Sequence, residues 1–343
     1  MKVLVTGGCG FIGSWVCEYY AKKGDEVISY DNMTKGELTR TGYNVEQARS
    51  YNWDLLKKLG VKLVKADIRN KEELFEYASG CGFIVHTAAQ PAVTISVEDP
   101  ELDITTNVLG TFNVLEAARK LKVPVVSCAT IHVYGNEINN ELKEEPLRYI
   151  RNPESIDESY PTLGGSITPL HASKHSADTY VRAFIDTYKI KAASFRLTGL
   201  YGPRQLGGED HGWVANFCIR ALLDMPVTIY GTGKQVRDIL FASDLINAFD
   251  SFYKYQIPGV YNIGGGKPNV ISLLECVSVI EKLLGKKVKL EFGPSRFGDL
   301  KYFVCDSGKA EKNLHWQAKV APEEGVEKLI GWIKENRNLF EER

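Results

Sequence analysis

An α/β architecture, a doubly wound parallel sheet with a smaller C-terminal lobe, is the fold this sequence predicts. Three observations carry the prediction. Short apolar runs alternate with helical patterns through the first 200 residues. A glycine-rich loop joins the first run to the first helical pattern. Beyond residue 200 the alternation gives way to stretches rich in Gly, Pro and polar residues around isolated helical patterns.

In chain order, Lys2–Thr6 is a short strand rich in β-branched residues. Gly7-Gly8-Cys9-Gly10-Phe11-Ile12-Gly13 follows, and residues 14–23 read as an amphipathic helix that Gly24 ends. Residues 26–30 form the second strand pattern. Similar runs recur at 62–64, Phe83–His86, 125–128, 192–195 and Gly259–Ile263, with helical patterns at 107–121 and 172–188. Continuous apolar strands suit a sheet covered on both faces. Residues 213–223, 270–284 and 323–336 read as helices of the second lobe. The expected organisation is a first domain over 1–200 to which 235–265 returns, and a lobe made of 201–234 and 266–343. The stretch 32–51 is long and polar for a simple connection, and no element is assigned to it.

Composition narrows the partners. Lys and Arg number 42 against 43 Asp and Glu, a formal net charge of −1. That balance argues against a nucleic-acid or anionic-membrane binder driven by bulk charge. No run of about 18 apolar residues suggests a membrane span. The N-terminus lacks the apolar stretch and cleavage site of a secretory signal. Seven cysteines without a C-x-x-C pair read as reduced thiols of a cytoplasmic chain.

The loop carries the first chemistry. Between a strand and a helix, backbone N–H groups and the positive helix end face a pyrophosphate. Gly7 permits the tight turn, Gly10 lets a ligand approach, and Gly13 lets helix and strand pack closely. Asp31 closes the second strand, where a carboxylate accepts from an adenosine ribose and repels a 2′-phosphate, favouring NAD over NADP. Such a unit is Rossmann-type. Asp67-Ile68, after the third strand, could contact adenine or simply be part of a surface loop.

Thr6-Gly7-Gly8-Cys9-Gly10-Phe11-Ile12-Gly13 resembles the extended short-chain dehydrogenase/reductase family. So do His86-Thr87-Ala88-Ala89-Gln90, Asn107-Val108-Leu109-Gly110-Thr111, Val133-Tyr134-Gly135, Tyr201-Gly202-Pro203-Arg204, Arg237-Asp238 and Arg296-Phe297-Gly298-Asp299. Within its NAD-dependent nucleotide-sugar epimerase and dehydratase group, the chain is most similar to CDP-paratose/CDP-tyvelose 2-epimerases. The stretches that carry this are Gln90-Pro91-Ala92-Val93-Thr94, Glu209-Asp210-His211-Gly212-Trp213 and Gly233-Lys234-Gln235-Val236-Arg237-Asp238. The resemblance implies NAD contacts at Gly7, Gly10, Phe11, Ile12, Gly13, Asp31, Asn32, Asp67, Ile68, Ala88, Ala89, Gln90, Asn107, Cys128 and Lys174. It implies nucleotide-sugar contacts at Thr94, Arg204, Trp213, Arg237 and Arg296, the last two forking onto the diphosphate. It further implies a homodimer through the helices at 107–121 and 172–188.

The family's chemistry is oxidation of a sugar hydroxyl and return of the hydride. It uses Tyr and Lys in Y-x-x-x-K with a nearby Ser or Thr. Thr130 and Lys174 match the Thr and the Lys; Leu170 stands where the Tyr would be. Three explanations compete: another residue moves the proton, the substrate does not need that base, or the protein binds without turnover. His132 is the leading substitute, since a strand continuing past Thr130 would put both on one face, and an imidazole there could titrate near neutral pH. A purely local hydrogen-bonding role is the alternative. His171 adjoins Leu170 but would point about 100° away on a regular helix; a distorted helix start could bring it near. Cys128 and Tyr201 are weaker candidates. His171 and His175 lack a glutamate between them and flank Lys174, so no metal is expected. The expected function is a nucleotide-sugar epimerase acting by transient hydride transfer. The alternatives are a UDP-glucose/UDP-sugar 4-epimerase, a non-catalytic NAD and nucleotide-sugar binder, and a reductase that releases its product.

Overall fold

Seven parallel strands set the position of the cleft. The computed structural model describes residues 1–34, 38, 40, 41, 43 and 45–341. In chain order the large sheet contains β1 (Lys2–Thr6), β2 (Glu26–Asp31), β3 (Lys62–Lys65), β4 (Phe83–His86), β5 (Val125–Thr130), β6 (Ala192–Leu197) and β7 (Gly259–Ile263). Their spatial order is β7-β6-β5-β4-β1-β2-β3. The order reverses between β1 and β4, and a crevice opens outside the carboxyl ends of such a pair. Thr6 lies level with Tyr30 on one side and His86 on the other, so the glycine loop emerges at that point.

Alternation along the strands explains the two-sided burial. Val3 and Val5 join one apolar cluster with Val16, Tyr20, Phe195 and Phe249. Leu4, between them, joins the opposite cluster with Ile28, Val114, Leu115 and Val181. Each such side chain gains roughly 1.5–3 kcal/mol from leaving water.

A smaller sheet combines Gly199–Tyr201, Val236–Phe241, Val270–Ser272 and Tyr302–Phe303 around the central strand Val236–Phe241. Helices Trp213–Leu222, Leu273–Leu284 and Pro322–Glu335 contribute to the apolar cluster beside it. Of the stretch 235–265, Gly259–Ile263 enters the large sheet, while Val236–Phe241 belongs to the small one.

Several boundaries differ from the sequence expectation. The opening helix starts at Phe11, directly after the extended Gly10. The helix expected over 107–121 is π-helical at Thr105–Gly110 and regular only from Thr111. A strand, Val270–Ser272, precedes the helix Leu273–Leu284, which Ser272 and Glu275 cap reciprocally. Val45–Lys58 is a helix that begins inside the stretch left unassigned and runs seven residues past its end. The strand ending at Thr130 does not continue: Ile131–Tyr134 is a 3₁₀ turn.

Two tests follow from this packing. A Cβ on Gly13 would lie 2.1 Å from the Gly7 carbonyl oxygen. Gly13→Ala is expected to lower the melting temperature by several degrees, read by differential scanning fluorimetry; an unchanged midpoint would refute the contact. His86 is buried, its Nδ1 2.7 Å from the Thr6 hydroxyl and its Nε2 3.0 Å from the Thr111 hydroxyl. Burial, reinforced by Lys174, pushes it down to about 3. The unfolded chain takes a proton near pH 6.5 that the folded chain refuses, so this stabilisation is full above about 6.5 and declines as pH falls toward 3. Imidazole NMR should show His86 neutral from pH 7 to 5, and titration in that window would contradict its burial.

Candidate active site

Two backbone segments meet at the mouth of the sheet. Gly7 has φ +68°, and a Cβ there would lie 2.7 Å from the backbone of Ala88. Gly10, in extended conformation, starts the helix Phe11–Lys22, and no side chain caps that start. Its first-turn amides therefore need an external acceptor. Gly7, Gly10, Phe11 and Ile12 border a cavity of about 1230 Å³. Gly13 supports this loop from beneath and is not among the lining residues.

Asp31 lines the same cavity at the end of β2. It also braces the loop, accepting from Cys9 N–H at 2.9 Å and Met33 N–H at 2.7 Å. Asn52 adds a second brace: its amide donates to the carbonyls of Cys9 at 2.9 Å and Gly10 at 3.3 Å. Its Oδ1 is buried with no hydrogen-bond partner among the described residues. Nothing in the local sequence marks Asn52, because its partners lie some forty residues away.

Asn32 and Ile68 line the cavity, whereas Asp67 does not. The Asp67 carboxylate holds Arg69 at 2.8 Å and Asn32 at 3.0 Å, and Arg69 draws its pKa down to about 2. That ion pair joins residues two apart in sequence, and Arg69 rather than Asp67 reaches the cavity lining. Ala88, Ala89 and Gln90 also line the wall, but Asn107 does not. Asn107 instead accepts from Gln90 N–H at 2.9 Å and donates to Gln90 O, Asp103 and Ser173 at 3.0, 2.9 and 3.1 Å. It is a positioning residue for the 88–90 segment, presented from a π-helical turn.

Thr130, His132, Leu170, His171, Lys174 and Cys128 share one wall. Lys174 makes no hydrogen bond or ion pair within reach among the described residues; burial lowers its pKa, against the influence of Cys128 and Asp103. Burial pushes the Cys128 thiol up to about 12, so it stays protonated. Tyr201 lies in the apolar core outside the cavity lining, its hydroxyl toward Pro322. Both are thereby removed as bases. Leu170 is 4% exposed and packed into the wall. His132 enters from the 3₁₀ turn rather than a continuing strand, its backbone N–H donating to the Thr130 hydroxyl at 3.3 Å. Burial, then His171 and Arg237, drive its pKa down to about 3, not the near-neutral value expected.

Helix Pro169–Tyr188 opens with a reciprocal cap between Thr168 and His171. The imidazole folds back onto Thr168, and the ring stands perpendicular to that of His132 with centroids 5.2 Å apart. His175 pairs with Thr162 at 3.0 Å instead. Among the described residues no cluster of three or more His, Cys, Asp or Glu is arranged to hold a metal ion.

Further cations line the cavity. Arg237 lies in the cavity lining, its Nη1 donating to Val236 O at 2.8 Å and its Nη2 4.0 Å from Asp299. Arg296 stacks 4.0 Å from the Tyr230 ring centre and donates to Glu209 O at 2.8 Å. Thr94 donates to Asp210 at 3.0 Å. Trp213 lines the cavity at the start of its helix and packs edge-on against Phe217. Arg204 borders the cavity, but its guanidinium is engaged by Glu18 at 2.6 Å and by the Trp15 ring. It ties the second lobe to the opening helix.

Residues 3–264 match the family model described as the NAD dependent epimerase/dehydratase family. A CDP-paratose 2-epimerase of Salmonella typhi is 33% identical, with 97% of this chain and 99% of that protein aligned. A UDP-glucuronate 4-epimerase of Thermodesulfobacterium geofontis is 29% identical over 98% and 97% of the two chains. Among solved structures, Thermus thermophilus UDP-glucose 4-epimerase in complex with NAD superposes with a TM-score of 0.78 at 30% identity, covering 97% and 99%. Bacillus cereus UDP-glucuronic acid 4-epimerase in complex with UDP-glucuronic acid and NAD gives 0.82 at 26%, covering 98% and 100%.

The Asn107 network makes one stability prediction. Asn107→Ala leaves the Gln90 amide and Asp103 short of partners, at a cost of about 3 kcal/mol. Urea denaturation should show that loss; a change under about 0.5 kcal/mol, the size of an ordinary surface substitution, would contradict the positioning role.

Proposed function

The chain belongs to the NAD-dependent epimerase/dehydratase family, and from that premise we propose that it is an NAD-dependent epimerase of a nucleoside diphosphate sugar, of the CDP-tyvelose/CDP-paratose 2-epimerase type. One observation carries the reading. A single cavity runs from the uncapped first turn and Asp31, past Thr130 and Lys174, to Arg237 and Arg296. Its volume, about 1230 Å³, exceeds that of an ordinary single-ligand pocket and suits two nucleotides end to end.

The residues divide by position. Gly7, Gly10, Phe11 and Ile12 hold a pyrophosphate, Asp31 a ribose, and Asn32, Ile68, Ala88, Ala89, Gln90 and Cys128 the remaining wall of the NAD site. When bound, NAD supplies reversible oxidation at one sugar carbon. Lys174 presents an ammonium with no competing partner to ribose hydroxyls. Thr130 directs its hydroxyl to the sugar, and His132 lies within the same wall to take its proton. Arg237 and Arg296 clamp the diphosphate, with Thr94 and Trp213 beside them. The second lobe, 201–234 and 266–343, is the nucleotide-sugar side. Exposed Leu109, Tyr180 and Tyr188, near and on the two helices expected to pair, suit a homodimer. Seven free cysteines suit a cytoplasmic setting.

Two observations support second readings. Several relatives act on UDP-sugars, which keeps a UDP-sugar 4-epimerase in view. Leu170 in place of a titratable residue is what a protein that binds without turnover would show.

Denaturing the purified chain should release NAD, and incubation with CDP-, UDP- and GDP-sugars should yield an epimer by NMR. No product from any of them contradicts the reading. Lys174→Met should lower turnover about 100-fold or more, and an unchanged rate would remove Lys174 from the site. Leu170→Tyr should bring no gain; activity arising only in that variant would instead identify a retired enzyme.

A further inference from the structure

We propose that His132 and His171 together replace the missing phenol, His132 as the proton acceptor and His171 as a fixed hydrogen-bond donor to the same sugar. This rests on the epimerase reading and deepens it. The inference starts from how the two rings are held. The Thr168 backbone N–H donates to His171 Nδ1 at 3.1 Å, and the Thr168 hydroxyl lies 2.7 Å from the same nitrogen, placed to donate to it as well. A nitrogen that accepts this bond carries no proton, so the neutral ring is protonated at Nε2. The helix cap therefore makes His171 a donor on its remaining nitrogen.

His132 is held in the complementary state. Its residue lines the cavity, while its Nδ1 lies beneath the cavity surface with no partner among the described residues, so a turn of the ring is what brings that nitrogen to a bound sugar. A buried acceptor left open costs about 1–3 kcal/mol unless a ligand fills it. Its main chain is fixed by Thr130, whose own O–H stays free to donate onward. The perpendicular rings, 5.2 Å between centres, border one cavity with Lys174. Residues 171 and 174 are three apart on the helix, hence neighbours on its surface. The titratable and charged groups acting on His132 are His171 and Arg237, which with burial keep it neutral and able to accept. A diphosphate on Arg237 would offset that cation and raise the basicity of His132 when substrate is present.

The step is a proton transfer alone. The sugar O–H bond breaks, an N–H bond forms at His132 Nδ1, and the electron pair stays on the oxygen. On the return the same proton goes back to oxygen. His171 Nε2–H donates to an adjacent sugar oxygen throughout and is not consumed. The arrangement suits a vicinal diol, with one oxygen facing each ring.

Long-range ¹H–¹⁵N spectra of the full-length wild-type protein, with its co-purified cofactor, test this without turnover. His171 should be the Nε2–H tautomer, and CDP should shift the His132 nitrogens while His171 keeps its tautomer. A His171 protonated at Nδ1, or His132 nitrogens unmoved by saturating CDP, overturns the proposal. In the active protein, His132→Asn and His171→Asn should each cut kcat by about 100-fold with KM changed less than threefold. Retention of more than half the wild-type kcat in a folded variant overturns it. Absence of turnover in the wild type would sink the epimerase reading alone, because the tautomer spectra judge the imidazole pair independently.

Discussion

The site depends on how closely two backbone segments approach at the carboxyl end of the sheet. Gly7 lies against Ala88, and Gly13 against the Gly7 carbonyl, with no room for a Cβ at either. That contact draws the start of the Phe11–Lys22 helix over the switch between β1 and β4. Because no side chain caps the helix, its positive end and free amides face the cavity instead. Asp31 and Asn52 then hold the loop from two sides through main-chain hydrogen bonds.

From that point the cavity extends across charges of changing character. Lys174 is a half-buried ammonium without a contacting counter-ion among the described residues, an arrangement that favours polar ligand groups. Its neighbours Leu170 and Cys128 carry no charge. Elsewhere in the lining, Arg237 and Arg296 are bonded through main-chain carbonyls and lie about 4 Å from carboxylates, so both keep donors for an incoming diphosphate. Lys174, Arg237 and Arg296 thus give the cavity three cations that can anchor polar and phosphate groups, beside the uncharged Thr130, Leu170 and Cys128.

Much of this was legible in the sequence, and the exceptions have physical reasons. The parallel sheet and glycine loop announce themselves through local pattern: β-branched runs, glycine spacing and an acid at the end of β2. The small sheet was not visible, since several of its strands span only two or three residues and pair across long separations. Val270–Ser272 merges into the apolar pattern of the next helix, so it read as helix. Val133-Tyr134-Gly135 looks extended, yet the chain turns there once Thr130 caps His132. Asp67 and Arg204 have the right chemistry for ligands, and in the fold they also pair with Arg69 and Glu18, partners that no motif announces. Asn107 and Asn52 act through distant backbone groups, which no local spacing reveals. The nearness of His171 depends on its capping bond with Thr168, which the regular-helix reading left out.

The most direct measurement is a crystal structure of the chain with NAD and a CDP-sugar. The account places the diphosphate between Arg237 and Arg296 and one sugar hydroxyl within about 3 Å of both the Thr130 oxygen and His132 Nδ1. A sugar ring seated away from that wall, or a dinucleotide bound anywhere but the first turn of the opening helix, would contradict it.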